Sequence, residues 1–160
     1  MIRQATTSDI PRLLSLLEQV LQVHNHLRPD LFKGQGGKFS QQDLEEMLLD
    51  DKRPIFVYED DKGEVQGHLF MILEEAQSAA MLPHKTLFID DLCVDETARN
   101  QKIGEQLYQF ALAKAREWGC YNLTLNVWNA NQAALRFYQR MGMLPQEMRM
   151  EALVMPEEKI

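Results

Sequence analysis

The fold is decided by residues 86–104, which read TLFIDDLCVDETARNQKIG. The first nine of these residues are mostly apolar and predict a strand that is buried on both faces. A polar turn follows, and from about Lys102 apolar residues recur at helical spacing as far as Trp118, where Gly119 supplies a stop. A buried strand followed by a turn and a helix predicts the first half of a parallel crossover, the unit from which α/β sheets are built.

The rest of the chain supplies further strands and helices around this unit. Upstream, the sequence predicts a strand at 2–5, a helix capped by Ser8 or Asp9, a loop at 25–39, a helix capped by Ser40, and a hairpin of strands 54–58 and 65–73. Downstream, it predicts a strand at 121–127, a helix at 131–141 and a last strand at 146–153. This order predicts one α/β domain over residues 1–155, with a mixed sheet, helices on its faces and a polar tail at 156–160.

The composition of the chain disfavours some classes of partner and favours others. The net charge of −7 over 160 residues argues against a nucleic-acid partner and favours cationic substrates through long-range steering. No run approaches the roughly 20 apolar residues of a membrane span, and no signal-peptide core is recognised, so a cytoplasmic location is expected. The two cysteines, Cys93 and Cys120, are predicted to be buried, reduced thiols.

The turn between the predicted strand and helix has the character of an anion site. The first turn of a helix leaves backbone N–H groups unpaired, and together with the helix dipole they suit a pyrophosphate. Arg99 and Lys102 add positive charge at the same place. From these residues alone, an ordinary capped turn is an equal alternative.

Several short sequence motifs flank the helix that is predicted from about Lys102 to Trp118. Residues 92–94 end the strand, Arg99 follows, and residues 103–104 open the helix as Ile-Gly. Residues 131–138 then read NQAALRFY, and residues 140–143 read RMGM. This pattern resembles the GNAT superfamily of acyl-CoA N-acyltransferases, in which R/Q-x-x-G-x-G/A opens one helix and N-x-x-A-x-x-F/L-Y lies on a later one.

The resemblance implies a mostly antiparallel, splayed sheet that holds acetyl-CoA between the strands ending at Val94 and Val127. The cofactor-binding residues that it implies are Leu92, Cys93, Val94, Arg99, Asn100, Gln101, Lys102, Ile103, Gly104, Asn126, Asn131, Ala134 and Tyr138. One of them departs from the pattern, because Lys102 stands where the family has glycine. A lysine with negative φ still presents its N–H, and its ammonium could contact a phosphate; the alternative is a distorted loop that binds weakly.

The resemblance also implies how the reaction is catalysed. An alkylamine with a pKa of about 10 must lose a proton before it attacks a thioester. Tyr138 matches the family tyrosine beside the thioester sulfur, where a phenol is suited to protonate the departing thiolate.

Asp90 matches an acidic position on the strand and is the predicted base, directly or through water. Adjacent strand residues point to opposite faces, so Asp91 is predicted to line the amine site instead. From spacing alone, the alternative for Tyr138 is an aromatic side chain of the core. The alternative for Asp90 and Asp91 is a pair of structural carboxylates held in ion pairs.

In this resemblance the loop at 25–39 covers the acceptor site, and Arg28 and Phe32 are predicted to form a lid or a substrate wall. His24 and His26 lack the i, i+4 spacing of facing metal ligands on a helix, and nothing completes a set, so no metal is expected. The methionines near the end of the chain indicate strand and core packing, or a dimer contact: Met141, Met143, Met148 and Met150.

The function predicted from the sequence is therefore direct transfer of an acetyl group from acetyl-CoA to a primary amine, with a small cationic amine favoured. A protein amine is an alternative acceptor. From another class, a non-catalytic module that binds CoA or acyl-CoA is the alternative function. A homodimer is expected from the family, and no membrane partner is expected.

Overall fold

The computed structural model describes residues 1–155 of the 160-residue chain, so the predicted tail at 156–160 lies outside the described residues. The strands are β1 Ile2–Gln4, β2 Ile55–Glu59, β3 Val65–Glu75, β4 Lys85–Val94 and β5 Asn122–Leu125. The helices are α1 Ile10–Leu27, α2 Gln41–Met47, α3 Ile103–Glu117 and α4 Gln132–Arg140. None of the helices within residues 1–155 has the length and apolarity needed to cross a bilayer.

The five strands form one sheet in the order β1-β2-β3-β4-β5. The first four pair antiparallel, and β4 pairs with β5 in parallel, which confirms the predicted mixed and mostly antiparallel sheet. The predicted hairpin joins β2 to β3, and its turn is held by Asp60, whose carboxylate accepts the backbone N–H groups of Lys62 and Glu64. Gly63 occupies the position with φ of +79°, which the absence of a side chain permits.

Helices cover both faces of the sheet, as predicted. Side chains alternate along a strand, and in β3 Phe70 joins the core formed with α1 and α2 while its neighbours Leu69 and Met71 join the core formed with α3. Ser40 caps α2 as predicted, because its hydroxyl accepts the backbone N–H of Asp43 at 3.1 Å.

The sheet opens between its last two strands. β4 and β5 pair only from Thr86 opposite Asn122 to Ile89 opposite Leu125, although β4 continues to Val94. The pairing between β3 and β4 is interrupted by a bulge at the same level, where the register shifts after Phe70. The outer half of β4 is therefore hydrogen-bonded only to β3, and its other edge faces the opening, which is the predicted splay.

Two predicted boundaries are wrong. The first helix continues to Leu27, so residues 25–27 are helical rather than part of the loop. Residues 146–153 form no strand, and Met148 and Met150 are 80% and 79% exposed, so their predicted core packing is also wrong. A strand needs a hydrogen-bonding partner, and no other part of residues 1–155 pairs with this segment.

Candidate active site

The loop between β4 and α3 is fixed by a buried carboxylate at the end of β4. Asp95 accepts hydrogen bonds from the Arg12 guanidinium at 2.7 Å, the Gln19 amide at 3.0 Å and the Thr97 backbone N–H at 2.8 Å. These bonds, led by that of the Thr97 hydroxyl, hold the pKa of Asp95 well below its usual range. Asp95 therefore ties the start of the loop to α1. The sequence signal for it, an aspartate two residues before a threonine, is that of an Asx turn.

The loop itself uses two left-handed residues. Asn100 has φ of 73°, and Lys102 has φ of 60° and caps the start of α3. The condition of a negative φ, under which the sequence analysis has Lys102 present its N–H to a phosphate, is therefore not met. Lysine bears a steric penalty in this conformation that glycine avoids, which gives a physical reason for the glycine that the motif has there.

The side chains predicted to bind the cofactor divide between two grooves. Arg99 and Asn131 line one groove of ≈ 760 Å³ between α1, the loop and the start of α4. Gln101 and Lys102 line a different groove of ≈ 710 Å³ along α3, together with Phe110. The structure thus places Arg99 and Asn131 in one groove, and Gln101 and Lys102 in the other.

The remaining cofactor candidates surround the opening between β4 and β5. Leu92 and Val94 pack against the core on the side of α3, and Asn126 follows β5 and is exposed. Asn131 is engaged as the cap of α4, accepting the backbone N–H of Ala134 at 3.2 Å. The following residues open α3: Ile103, which is buried, and Gly104, where a Cβ would lie 3.4 Å from Phe137 of α4.

Cys93 is buried on the opposite face of β4 from Leu92. Its thiol lies 3.6 Å from the carbonyl of Leu16 in α1, and burial raises its pKa to about 12. Burial also raises the pKa of the half-buried Cys120, so both cysteines are free thiols with suppressed ionisation. Neither is poised as a nucleophile, because the reactive form of cysteine is the thiolate.

Tyr138 projects from α4 into the core at the opening. Its ring contacts the ring of Phe137 at 5.0 Å between centroids, and Tyr108 of α3 lies 6.3 Å away. Burial, followed by the negative charge of Asp91, raises the pKa of Tyr138 well above its usual value of 10.0. The phenol is therefore protonated at neutral pH and is available as a proton donor.

Asp90 and Asp91 do not lie on opposite faces, which corrects the expectation from strand alternation. The bulge takes Asp90 out of the pairing, and both carboxylates contact residues on the side of α1. Asp90 accepts the Lys38 ammonium at 2.8 Å, whereas Asp91 forms a short contact with Nε2 of His68.

His68 is the residue that the sequence analysis missed. It is fully buried on β3, its ring packs edge-on against Phe70, and no polar group in residues 1–155 pairs with its Nδ1. A histidine in the middle of an apolar strand was the available signal, since a buried imidazole needs a polar partner. Asp91 supplies that partner and is itself only 10% exposed.

Aromatic side chains from α1, from the loop after it and from the segment after β5 form a wall. The ring of Phe32 lies 4.9 Å from that of His24 and 5.5 Å from that of Trp128, and the Arg28 guanidinium lies over Trp128 at 5.7 Å. Burial lowers the pKa of His24, although the charge of Asp91 acts in the opposite direction. The predicted wall residues Arg28 and Phe32 therefore contact Trp128, which follows the end of β5. Within residues 1–155, no group of three or more histidine, cysteine or acidic side chains is arranged to hold a metal ion.

Comparisons with known proteins agree with this arrangement. The sequence profile described as the Acetyltransferase (GNAT) family matches residues 20–143. A curated relative described as an uncharacterized N-acetyltransferase in the pepI 3′ region of Lactobacillus delbrueckii subsp. lactis is 35% identical over 81 residues, which is 51% of this chain and 46% of the relative. The chain thus spans about half the length of that relative.

Solved structures match nearly the whole chain. The tetramutant of the BH1408 protein from Bacillus halodurans has a TM-score of 0.91 and 27% identity, covering 96% of this chain and 99% of that one. The aminoglycoside N-acetyltransferase AAC(6′)-Iy in complex with CoA has a TM-score of 0.66 and covers 98% of this chain and 100% of its own, and at 17% identity it shows the fold alone.

Proposed function

This chain belongs to the GNAT family of acetyltransferases, and from that premise we propose that it transfers the acetyl group of acetyl-CoA directly to a small, cationic primary amine. The observation that carries the proposal is Tyr138, a phenol on α4 whose pKa is raised chiefly by burial and also by the negative charge of Asp91. Residues 1–155 act as one transferase domain in this proposal.

Acetyl-CoA binds along the opening of the sheet. The free edge of β4 at Leu92–Val94 offers backbone groups to the pantetheine arm and to the thioester carbonyl, where N–H donors stabilise a developing oxyanion. The pyrophosphate lies at the loop before α3, where unpaired N–H groups of the first turn and the charge of Arg99 attract it. Asn131 and Ala134 line the arm from the start of α4.

Tyr138 acts as the acid. The departing sulfur needs a proton, and a phenol whose pKa is raised by burial keeps its proton until that sulfur becomes strongly basic. The proton passes from the phenol oxygen to sulfur as the carbon–sulfur bond breaks. Solvent then restores the phenol.

One of the two aspartates takes the proton from the amine. Asp90 is the expectation from the motif, but its ion pair with Lys38 lowers its availability. Asp91 is supported by its contact with His68 and by the contribution of its negative charge to the raised pKa of Tyr138. We therefore assign the base to Asp91, directly or through one water, and Asp90 with Lys38 to the acceptor side.

Direct transfer is favoured over an acyl-enzyme. A covalent route needs an activated nucleophile, and burial raises the pKa of Cys93 to about 12, so its thiolate is scarce at neutral pH. The free thiols at Cys93 and Cys120 and the use of acetyl-CoA support a cytoplasmic location.

The acceptor lies under the wall of His24, Phe32 and Trp128. Aromatic faces and a carboxylate together favour a cation, and the net charge of −7 draws cations to the molecule.

The test is a comparison of binding with turnover on the purified chain. Calorimetric titration with acetyl-CoA measures binding, and release of free thiol measures transfer to a panel of polyamines, amino acids, aminoglycosides and a lysine-rich protein. We expect binding and thiol release with at least one small cationic amine. Binding with no release on any amine would replace the enzyme by the non-catalytic CoA-binding module, and release only with the protein would move the acceptor to a protein amine.

A further inference from the structure

His68 of β3 and Asp91 of β4 are diagonal neighbours on one face of the sheet. Asp91 pairs with Phe70, and His68 lies two residues before Phe70, so its side chain projects from the same face as that of Phe70. Diagonal neighbours on one face of an antiparallel pair lie within reach of long side chains. Nε2 of His68 accordingly contacts Oδ2 of Asp91.

The core holds the His68 ring in one place. The side chain has no exposed surface, and its ring packs edge-on against Phe70 at 4.7 Å between centroids. Phe70 is in turn stacked against Phe39 at 5.7 Å. Side chains in a close-packed interior are confined to single rotamers, so the position of Nε2 is fixed by its surroundings. Asp91 lies at the boundary of this core and is 10% exposed.

The two ring nitrogens of His68 indicate which one carries the proton. Nε2 lies at a carboxylate, and an ionised carboxylate only accepts hydrogen bonds. Nδ1 is buried and has no hydrogen-bond partner within residues 1–155, so a proton on it would be left unpaired in the core. The proton therefore belongs on Nε2 and the lone pair on Nδ1, and His68 is the donor to Asp91.

This contact leaves one carboxylate oxygen of Asp91 available. Oδ2 accepts from His68, whereas Oδ1 has no hydrogen-bond partner among the residues from 1 to 155. The charge of Asp91 contributes to the raised pKa of Tyr138 and opposes the lowering of the pKa of His24 by burial. The carboxylate that His68 holds thus acts electrostatically on the proposed acid and on the acceptor wall.

We propose that His68 is a positioning residue for acetyl transfer, which holds Oδ2 of Asp91 so that Oδ1 faces the acceptor amine. This inference rests on the proposed function, in which Asp91 is the base. A base has to lie within hydrogen-bond reach of the proton that it removes, and a carboxylate free to rotate would spend less time there.

The protons balance without any transfer from His68. As the amine nitrogen bonds to the acetyl carbon, its proton passes to Oδ1 of Asp91, directly or through one water. The carbon–sulfur bond breaks, and the sulfur takes the proton of Tyr138. His68 keeps its Nε2 proton throughout and acts only through Asp91.

The first experiment compares two replacements of His68. His68→Gln places an amide nitrogen the same number of bonds from Cβ as Nε2, so it keeps the donor, whereas His68→Leu fills the space without one. We expect kcat for thiol release to fall by about 10–100-fold in His68→Leu and to stay within about 5-fold in His68→Gln. Calorimetric affinity for acetyl-CoA should stay within about 3-fold in both variants.

Folding of each variant is checked by chemical denaturation. If His68→Leu fails to fold, His68→Asn gives the same comparison, because its amide nitrogen is one bond too short to reach Asp91. An unchanged kcat without the donor, or equal losses with and without it, would overturn the positioning role and leave the proposed function standing. No thiol release by the wild-type chain on any amine would instead refute the proposed function, and this inference would fall with it.

Nitrogen NMR of the histidine rings tests the hydrogen bond without acetyl-CoA or an acceptor. We expect Nε2 of His68 to carry a slowly exchanging proton and Nδ1 to show the shift of an unprotonated nitrogen. Asp91→Asn should move the resonance of that proton, and Asp90→Asn, the matched control, should leave it in place. A proton on Nδ1, or a resonance that does not respond to Asp91→Asn, would overturn the inference.

Discussion

Strands β1–β4 are paired along their lengths and enclose side chains with no exposure, such as Leu13, Leu69 and Leu87. After β4 the pairing and packing are less complete. β5 pairs with β4 over only four residues, and none of the α4 side chains is fully buried. The difference teaches that the first part holds the fold together, whereas the second part leaves the sheet open at the place where we propose that acetyl-CoA binds.

The largest effect is expected at the two aspartates on the boundary between these parts. Asp91→Asn removes the proposed base but keeps its shape, so we expect kcat to fall by about 10²–10⁴-fold, the usual range for acid–base catalysis. Asp90→Asn is the matched control, and since its carboxylate is engaged by Lys38 we expect less than about a 10-fold fall. Steady-state thiol release measures both. Equal losses, or a larger loss in Asp90→Asn, would return the base to Asp90.

The same glycine-to-alanine change should act differently in the two parts. At Gly67 of β3 a Cβ would lie 2.9 Å from the backbone carbonyl of Cys93, so Gly67→Ala should lower the free energy of unfolding by about 1–3 kcal/mol. At Gly104 of α3 the nearest atom belongs to the Phe137 ring at 3.4 Å, and alanine favours helix, so Gly104→Ala should leave stability unchanged or raise it by up to about 1 kcal/mol. Chemical denaturation measures both variants. A larger loss at Gly104 would contradict the contrast between the parts.

Asp95 connects α1 to the loop before α3, and its contribution to the free energy of unfolding should depend on pH. Its pKa is lowered in the folded state, chiefly by hydrogen bonds from Thr97, so its contribution is full above the unfolded pKa of about 4 and is lost as pH falls through the lowered value. Asp95→Asn should therefore cost about 2 kcal/mol at pH 7, and the difference from wild type should narrow below about pH 4. Urea unfolding over that range measures it. A difference that stays constant with pH would show that the carboxylate charge is not responsible.

The smallest effect is expected at Lys102, on the open side of the molecule. Because its φ is 60°, Lys102→Gly should relieve strain and raise the free energy of unfolding by about 0.5–1 kcal/mol. Its side chain lies in a different groove from Arg99, so the affinity for acetyl-CoA should stay the same or rise. Thermal unfolding and calorimetry measure the two quantities. A clear loss of affinity in Lys102→Gly would instead assign the ammonium to phosphate binding.

The sequence predicted the well-packed part of the fold accurately. Hydrophobic periodicity placed all four helices and the first five strands to within a few residues, because burial enforces that periodicity in the core. It failed at 146–153, where the predicted strand has no hydrogen-bonding partner within residues 1–155. Alternation of apolar and polar residues favours an extended segment, but it does not show which strand would pair with that segment.

The site residues stay predictions, and the structure adds contacts around them that the sequence did not indicate. The motifs predicted the loop before α3 and the phenol of Tyr138, because both depend on residues close in sequence. The side on which Asp90 and Asp91 lie depends on a bulge in the register between β3 and β4, which no local pattern encodes. The partners His68 and Lys38 come from distant segments, and their contacts with these aspartates follow only from the folded sheet.

The central claim is that the open part of the molecule carries out acid-assisted acetyl transfer, and the most direct test compares two tyrosines. Tyr138→Phe removes the proposed acid, and Tyr108→Phe removes a neighbouring phenol that is also buried. With acetyl-CoA and the acceptor from the panel, we expect kcat to fall by about 100-fold or more in Tyr138→Phe, with acetyl-CoA affinity preserved, and to stay within about 3-fold in Tyr108→Phe. An unchanged kcat in Tyr138→Phe would contradict the account.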